Sequence, residues 1–194
     1  MKILPFISFM LALTASAVLA QAPYQVKEGK LSIKGTSSLH DWESTVSGFE
    51  WSGDLVLADH KLTQLSNISV VIPVENIKSE HGRIMDNKTY DAFDSKKNPN
   101  ITFKVPNQQI TGQGTVDVKG SLTMAGATKP WTLRITYKAL AGGDLQVTGS
   151  SAIKMTEFGM DPPTALMGTV KVADNVTVEF NLVLTPGKGI SSRR

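Results

Sequence analysis

The chain contains no cysteine. Disulfides, thiolate catalysis and cysteine metal sites are thereby excluded, and core packing has to carry the stability. A Gly-x-Ser-x-Gly nucleophile motif is also missing, as is a glycine-rich loop that follows a strand and opens a helix. The three histidines, His40, His60 and His81, show no ligand-pair spacing, so no metal and no resident cofactor is expected. Charge of one sign is not concentrated anywhere. The 20 basic and 17 acidic side chains give a formal net charge of +3 and are scattered, which describes a solvated surface and not a nucleic-acid stripe. No internal repeat or low-complexity tract is present.

A long uncharged apolar run occurs once, from Ile3 to Leu19. Lys2 precedes it, and Val18 and Ala20 close it with a small-x-small exit, the pattern of a secretory signal peptide. Pro5, Ser8, Thr14 and Ser16 make it a poor spanning helix. The expectation is a signal peptide over 1–20, cleavage before Gln21, and a mature chain exported to a periplasm with no stable membrane insertion. One domain is expected over 21–185, followed by a loose, flexible tail over 186–194, with Thr185 already reading as tail.

The remaining chain is dominated by residues that alternate with a period of two. Val116, Val118, Gly120, Leu122 and Met124 alternate with polar neighbours, and after a turn from Ala125 to Pro130 so do Trp131, Leu133, Ile135 and Tyr137. Such alternation puts the apolar side chains of a strand on one face. The same pattern marks Leu31–Gly35, Phe49–Leu57 with a bend at Gly53, Ile68–Val74, Ile101–Val105, Leu145–Met155 and Val176–Leu184. Thr36–Trp42 reads as a hydroxyl-rich turn, and Thr156–Gly168 as a long connection. From Val74 to Asn98 the period of two disappears, and one or two short helices are predicted near 76–93. The fold class is all-β. Hairpin spacing of about eight strands allows a sandwich or a closed barrel, and a barrel of that size has room for one small ligand.

Four stretches together resemble the YceI-like family of bacterial polyisoprenoid-binding, lipocalin-like proteins. The first is His40 followed by Val46-Ser47-Gly48-Phe49. The second is Arg83 and Asp86, then Phe93-Asp94, Pro99 and Ile101-Thr102-Phe103. The third is Gly120-Ser121-Leu122-Thr123 with Gly126, Thr128, Lys129 and Pro130, and the fourth is Phe158-Gly159-Met160. The resemblance implies an extended antiparallel lipocalin-like β-barrel capped by a helix, exported, with an apolar tunnel. Its ligand would be an isoprenoid quinone or another long-chain, fatty-acid-like amphiphile.

The lining candidates are Trp51, Phe103, Leu122, Leu133, Ile135, Ile153 and Phe180, each on the apolar face of its strand. His40 is the candidate polar group for a head group. The leading expectation is a non-catalytic carrier whose partner is a hydrophobic small molecule; a homodimer is compatible with it. Two alternatives stay open. One is an enzyme, such as a hydrolase, acting on a lipid-like substrate with His40 as base and Asp41 as its orienter. The other is a stress-related interaction protein whose barrel is filled by its own side chains. Arg83 and Asp86, three apart, read either as an ion pair on a helix surface or as a tie between helix and barrel.

Overall fold

The computed structural model describes residues 22–187; the expected signal peptide and the tail from 188 onward lie outside the described residues. Eleven strands occur among them: β1 (Ala22–Ser37), β2 (Asp41–Val46), β3 (Glu50–Ala58), β4 (Lys61–Pro73), β5 (Ile77–Ser79), β6 (Asn100–Gln109), β7 (Thr115–Met124), β8 (Ala127–Ala139), β9 (Leu145–Lys154), β10 (Thr164–Ala165) and β11 (Val170–Pro186). One α-helix, α1 (Arg83–Phe93), stands between β5 and β6. Each strand pairs antiparallel with its neighbour, and β1 with β11 closes the sheet. The result is an eight-strand closed barrel.

The barrel is extended because two of its staves are compound. β2 continues into β3, and β4 runs through a short 3₁₀ turn at Val74–Asn76 into β5. β1 pairs with β3 through Ala22 and Pro23 at one end, and with β2 through Ser32–Thr36 at the other. Asn76 stitches the kink between them. Its carbonyl accepts from Ser47 N at 2.9 Å, and its side-chain amide donates to Gly48 O at 2.8 Å.

The β7–β8 hairpin is the one the alternation predicts, with a shorter turn. Only Ala125 and Gly126 lie outside the strands, both at positive φ (48° and 81°). A two-residue loop of that hand matches the twist of the flanking strands, and a glycine carries the second position without strain. Pro130 is thus inside β8, paired with Ser121. It is tolerated because β8 meets β9 only from Ile135 to Ala139, leaving the other edge at Pro130 with no ladder to interrupt. Where that ladder stops, Trp131 Nε1 donates to Ser151 Oγ at 3.0 Å and spans the gap.

Two strands are longer than the sequence pattern indicates. β1 covers 16 residues, not the few around Leu31–Gly35, because a register shift between Val26 and Glu28 breaks its alternation. β11 starts at Val170 and reaches Pro186, so Thr185 belongs to the wall and not to a tail. The predicted turn at Thr36–Trp42 shrinks to residues 38–40, since Asp41 and Trp42 pair with Thr36 and Gly35. At Gly53 the expected irregularity is present as a register shift between Ser52 and Asp54.

One end of the barrel, where β1 begins and β8 ends, is packed shut. Tyr24, Ile110 and Tyr137 are buried there among Leu62, Leu145 and Leu184. Tyr24 Oη donates to Gly143 O at 3.1 Å, and Tyr137 Oη accepts from Leu62 N at 3.3 Å. A second apolar cluster, with Phe93, Leu122, Ile153, Phe158 and Met160, surrounds the helix end.

Candidate functional site

Inside the barrel lies an apolar cavity of about 510 Å³. This is the size of a typical pocket for one small ligand. It runs from Leu62 and Leu145, just above the closed end, to Leu39, His40, His81 and Ile84 at the opposite, open end. Alternation explains most of the lining: the inward positions of the strands carry mainly Val, Ile, Leu, Phe or Trp, with a few serines, while outward ones are largely polar. On the outer wall Arg134 grips Asp117 from the paired strand at 2.8 and 3.1 Å, and holds its carboxyl below the usual carboxylate range.

The bore owes its width to close contact of rings with glycine. Phe180 faces Gly149 across the β9–β11 ladder, and a Cβ at Gly149 would sit 2.4 Å from Phe180 Cζ. Phe103 lies over Gly120 in the same way, with 2.9 Å to its ring, and Trp42 over its partner Gly35. The rings lie against the wall where a side chain on the neighbour would push them into the lumen.

All eight residues singled out from sequence border this cavity. Trp51, Phe103, Leu122, Leu133, Ile135, Ile153 and Phe180 line its shaft, and His40 stands at its mouth. Trp51 and Phe103 are half-buried, as are Leu133 and Phe180, whereas Leu122, Ile135 and Ile153 are buried. Pattern reading misses the contribution of α1. Ile84, Met85, Lys88, Thr89, Ala92 and Phe93 all border the cavity and occupy one face of the helix. The spacing of 84, 88, 92 and 85, 89, 93 is a helical signal, obscured because Lys88 and Thr89 interrupt its apolar character.

Asp86 is the tie between helix and barrel. Its Oδ1 accepts from Ser79 N at 2.7 Å, next to Tyr90 Oη, which donates to Glu75 O at 2.9 Å. Arg83 is exposed and makes no hydrogen bond or ion pair among the described residues, so the expected Arg83–Asp86 ion pair is absent. Arg83→Ala is therefore expected to change stability by less than about 0.5 kcal/mol. Asp86→Ala strands a backbone donor and is expected to cost about 1–3 kcal/mol. Urea titration of both variants checks the difference, and equal losses would rule out this assignment.

The mouth carries the polar groups. His40 and His81 stand with ring centroids 5.1 Å apart, and Lys88 on α1 borders the same cavity. His40 Nδ1 is 2.7 Å from the backbone O of Asp41, which can only accept, so Nδ1 bears the proton. The partner of His40 is thus a main-chain carbonyl and not the Asp41 carboxylate, and the base-and-orienter pair lacks its carboxylate arm. Among the described residues no group of three or more His, Asp or Glu side chains is placed to hold a metal. No helix among them is long and apolar enough to cross a membrane, which leaves membrane crossing by strands unaddressed.

The model of the YceI-like domain matches residues 24–184, all but the outermost residues of the barrel. The chain belongs to the YceI-like domain family. YceI-like relatives include a UPF0312 protein of Pseudomonas putida, 26% identical over 178 residues, covering 84% of this chain and 91% of the relative. A UPF0312 protein of Pseudomonas fluorescens is 27% identical over 187 residues, covering 87% and 92%. Among solved structures, a polyisoprenoid-binding domain from Saccharophagus degradans superposes with a TM-score of 0.66 at 15% identity, over 87% of this chain and all of that one. Burkholderia cenocepacia BcnA gives 0.64 at 22% identity, over 80% and 95%. At such identities the structural likeness establishes the YceI-like fold.

Proposed function

We propose that this YceI-like protein is an exported, non-catalytic carrier that holds one long-chain amphiphile, of the isoprenoid quinone or fatty-acid type, in its barrel. The observation that carries this reading is the apolar cavity, deep and narrow, open at one end and closed at the other. Burial of a hydrocarbon chain there would contribute roughly 25 cal/mol per Å² of apolar surface removed from water. The name of the Saccharophagus degradans neighbour, a polyisoprenoid-binding domain, points to the same ligand class. Trp51, Phe103, Leu122, Leu133, Ile135, Ile153 and Phe180 would hold the chain, and His40 would meet the head group.

Native mass spectrometry of protein recovered from a periplasmic extract is expected to show a bound hydrophobic molecule and a chain that begins at Gln21. Protein that is empty after gentle isolation, and stays empty when offered quinones or fatty acids, would favour the filled-barrel interaction protein. An intact Met1 on a membrane-bound form would reject export with cleavage.

A further inference from the structure

The carrier reading says that a chain is held; the mouth says which end group goes with it. Three ionisable side chains border the cavity, His40, His81 and Lys88, and all three sit at its open end. Among the described residues no aspartate or glutamate borders it. Asp41 and Glu80, the sequence neighbours of the two histidines, are exposed and are not among its lining residues, and Asp86 is engaged with Ser79 N.

Two of the hydroxyls at the mouth, Ser37 and Thr89, already donate to main-chain carbonyls. Ser37 Oγ donates to His40 O and accepts from the backbone N of Leu39 and His40. Ser79 Oγ accepts from His81 N, and Thr89 Oγ1 donates to Met85 O. Lys88 has no hydrogen-bond or ion-pair partner among the described residues. It is an ammonium at the rim of an apolar shaft, a long stem that can reach along the rim with its charge in water. A neutral carbonyl or hydroxyl head group would offer it an ordinary hydrogen bond. A carboxylate or phosphate would offer a charge-assisted one of roughly twice the strength.

We infer that the channel prefers long-chain amphiphiles with an anionic head group over their neutral counterparts, with Lys88 as the residue that sets the preference. This rests on the carrier reading. The test titrates palmitate against hexadecan-1-ol, and geranylgeranyl phosphate against geranylgeraniol, into delipidated protein. The anionic member of a pair is expected to bind about tenfold more tightly. Raised salt should narrow the gap. Lys88→Gln is expected to bring the affinity of the acid down to that of the alcohol, and Lys88→Arg to retain the preference. A preference confined to the first pair identifies fatty carboxylates, and one confined to the second identifies isoprenyl phosphates. Equal binding of acid and alcohol overturns the inference while leaving the carrier reading in place, as does a preference that survives Lys88→Gln. Failure of all four probes to bind overturns the carrier reading itself.

Discussion

Leu133→Trp is expected to abolish lipid uptake while leaving the melting temperature of delipidated protein within a few degrees of the wild type. Leu133 is half-buried on β8 and borders the shaft of the cavity. Its neighbour in the β7–β8 ladder is Val118, and both side chains border the cavity, so the added indole is directed into the lumen. In a packed interior such overfilling costs about 1–3 kcal/mol or more through strain. In an open one it occupies space that a ligand would otherwise fill. The check is a thermal melt of delipidated mutant beside a lipid-extraction assay on both proteins. A sharply lowered melting point, with no lipid recovered from wild type, would mean that the interior is only a core.

Phe158→Ala should do the reverse, unfolding the protein early with little direct effect on the channel. Phe158 is 1% exposed and does not border the cavity. It belongs to the short turn at Met155–Phe158 and packs with its ring centroid 5.9 Å from that of Trp131, while Lys129 Nζ lies 5.8 Å from its centre. Truncating a buried phenylalanine removes both its transfer free energy and the packing around the hole, a loss of about 3–5 kcal/mol. For a chain of this size that lowers the melting temperature by about 6–20 °C. A loss below about 1 kcal/mol in urea would show that this turn is not docked on the barrel. Trp131 bridges the place where β8 and β9 part, so Phe158 reaches the barrel wall through it.

The two variants also mark what the sequence can and cannot disclose. The inward positions of the β7–β8 hairpin and of β11 from Val176 to Leu182 are legible because apolar and polar residues alternate there, and period two translates directly into inside and outside. β2 is not legible. Its inward residues are Trp42, Ser44 and Val46, and a serine in the middle conceals the pattern. β1 fails for a different reason, since one extra residue near Val26 swaps the faces halfway along. The shaft residues follow from strand alternation alone, whereas the mouth does not. Its ring of groups comes from α1, the 38–40 turn and the segment around Pro163 and Thr164. These are distant in sequence and are brought together only by closure of the barrel. Lys88 looks like any solvated helix lysine until the cavity beneath it is seen.

The packed end near Tyr24 and Tyr137 has a consequence for traffic. On the carrier reading, a shaft shut at its base leaves the open end as the doorway, so an elongated guest would go in tail first and come out head first. Its leading group on departure is then the polar one, already at the rim and facing water. Any acceptor, whether a bilayer or another protein, would therefore first engage the head and draw the hydrocarbon out behind it. The shaft cannot be refilled from below while it empties, so loading and unloading are separate events at the same threshold.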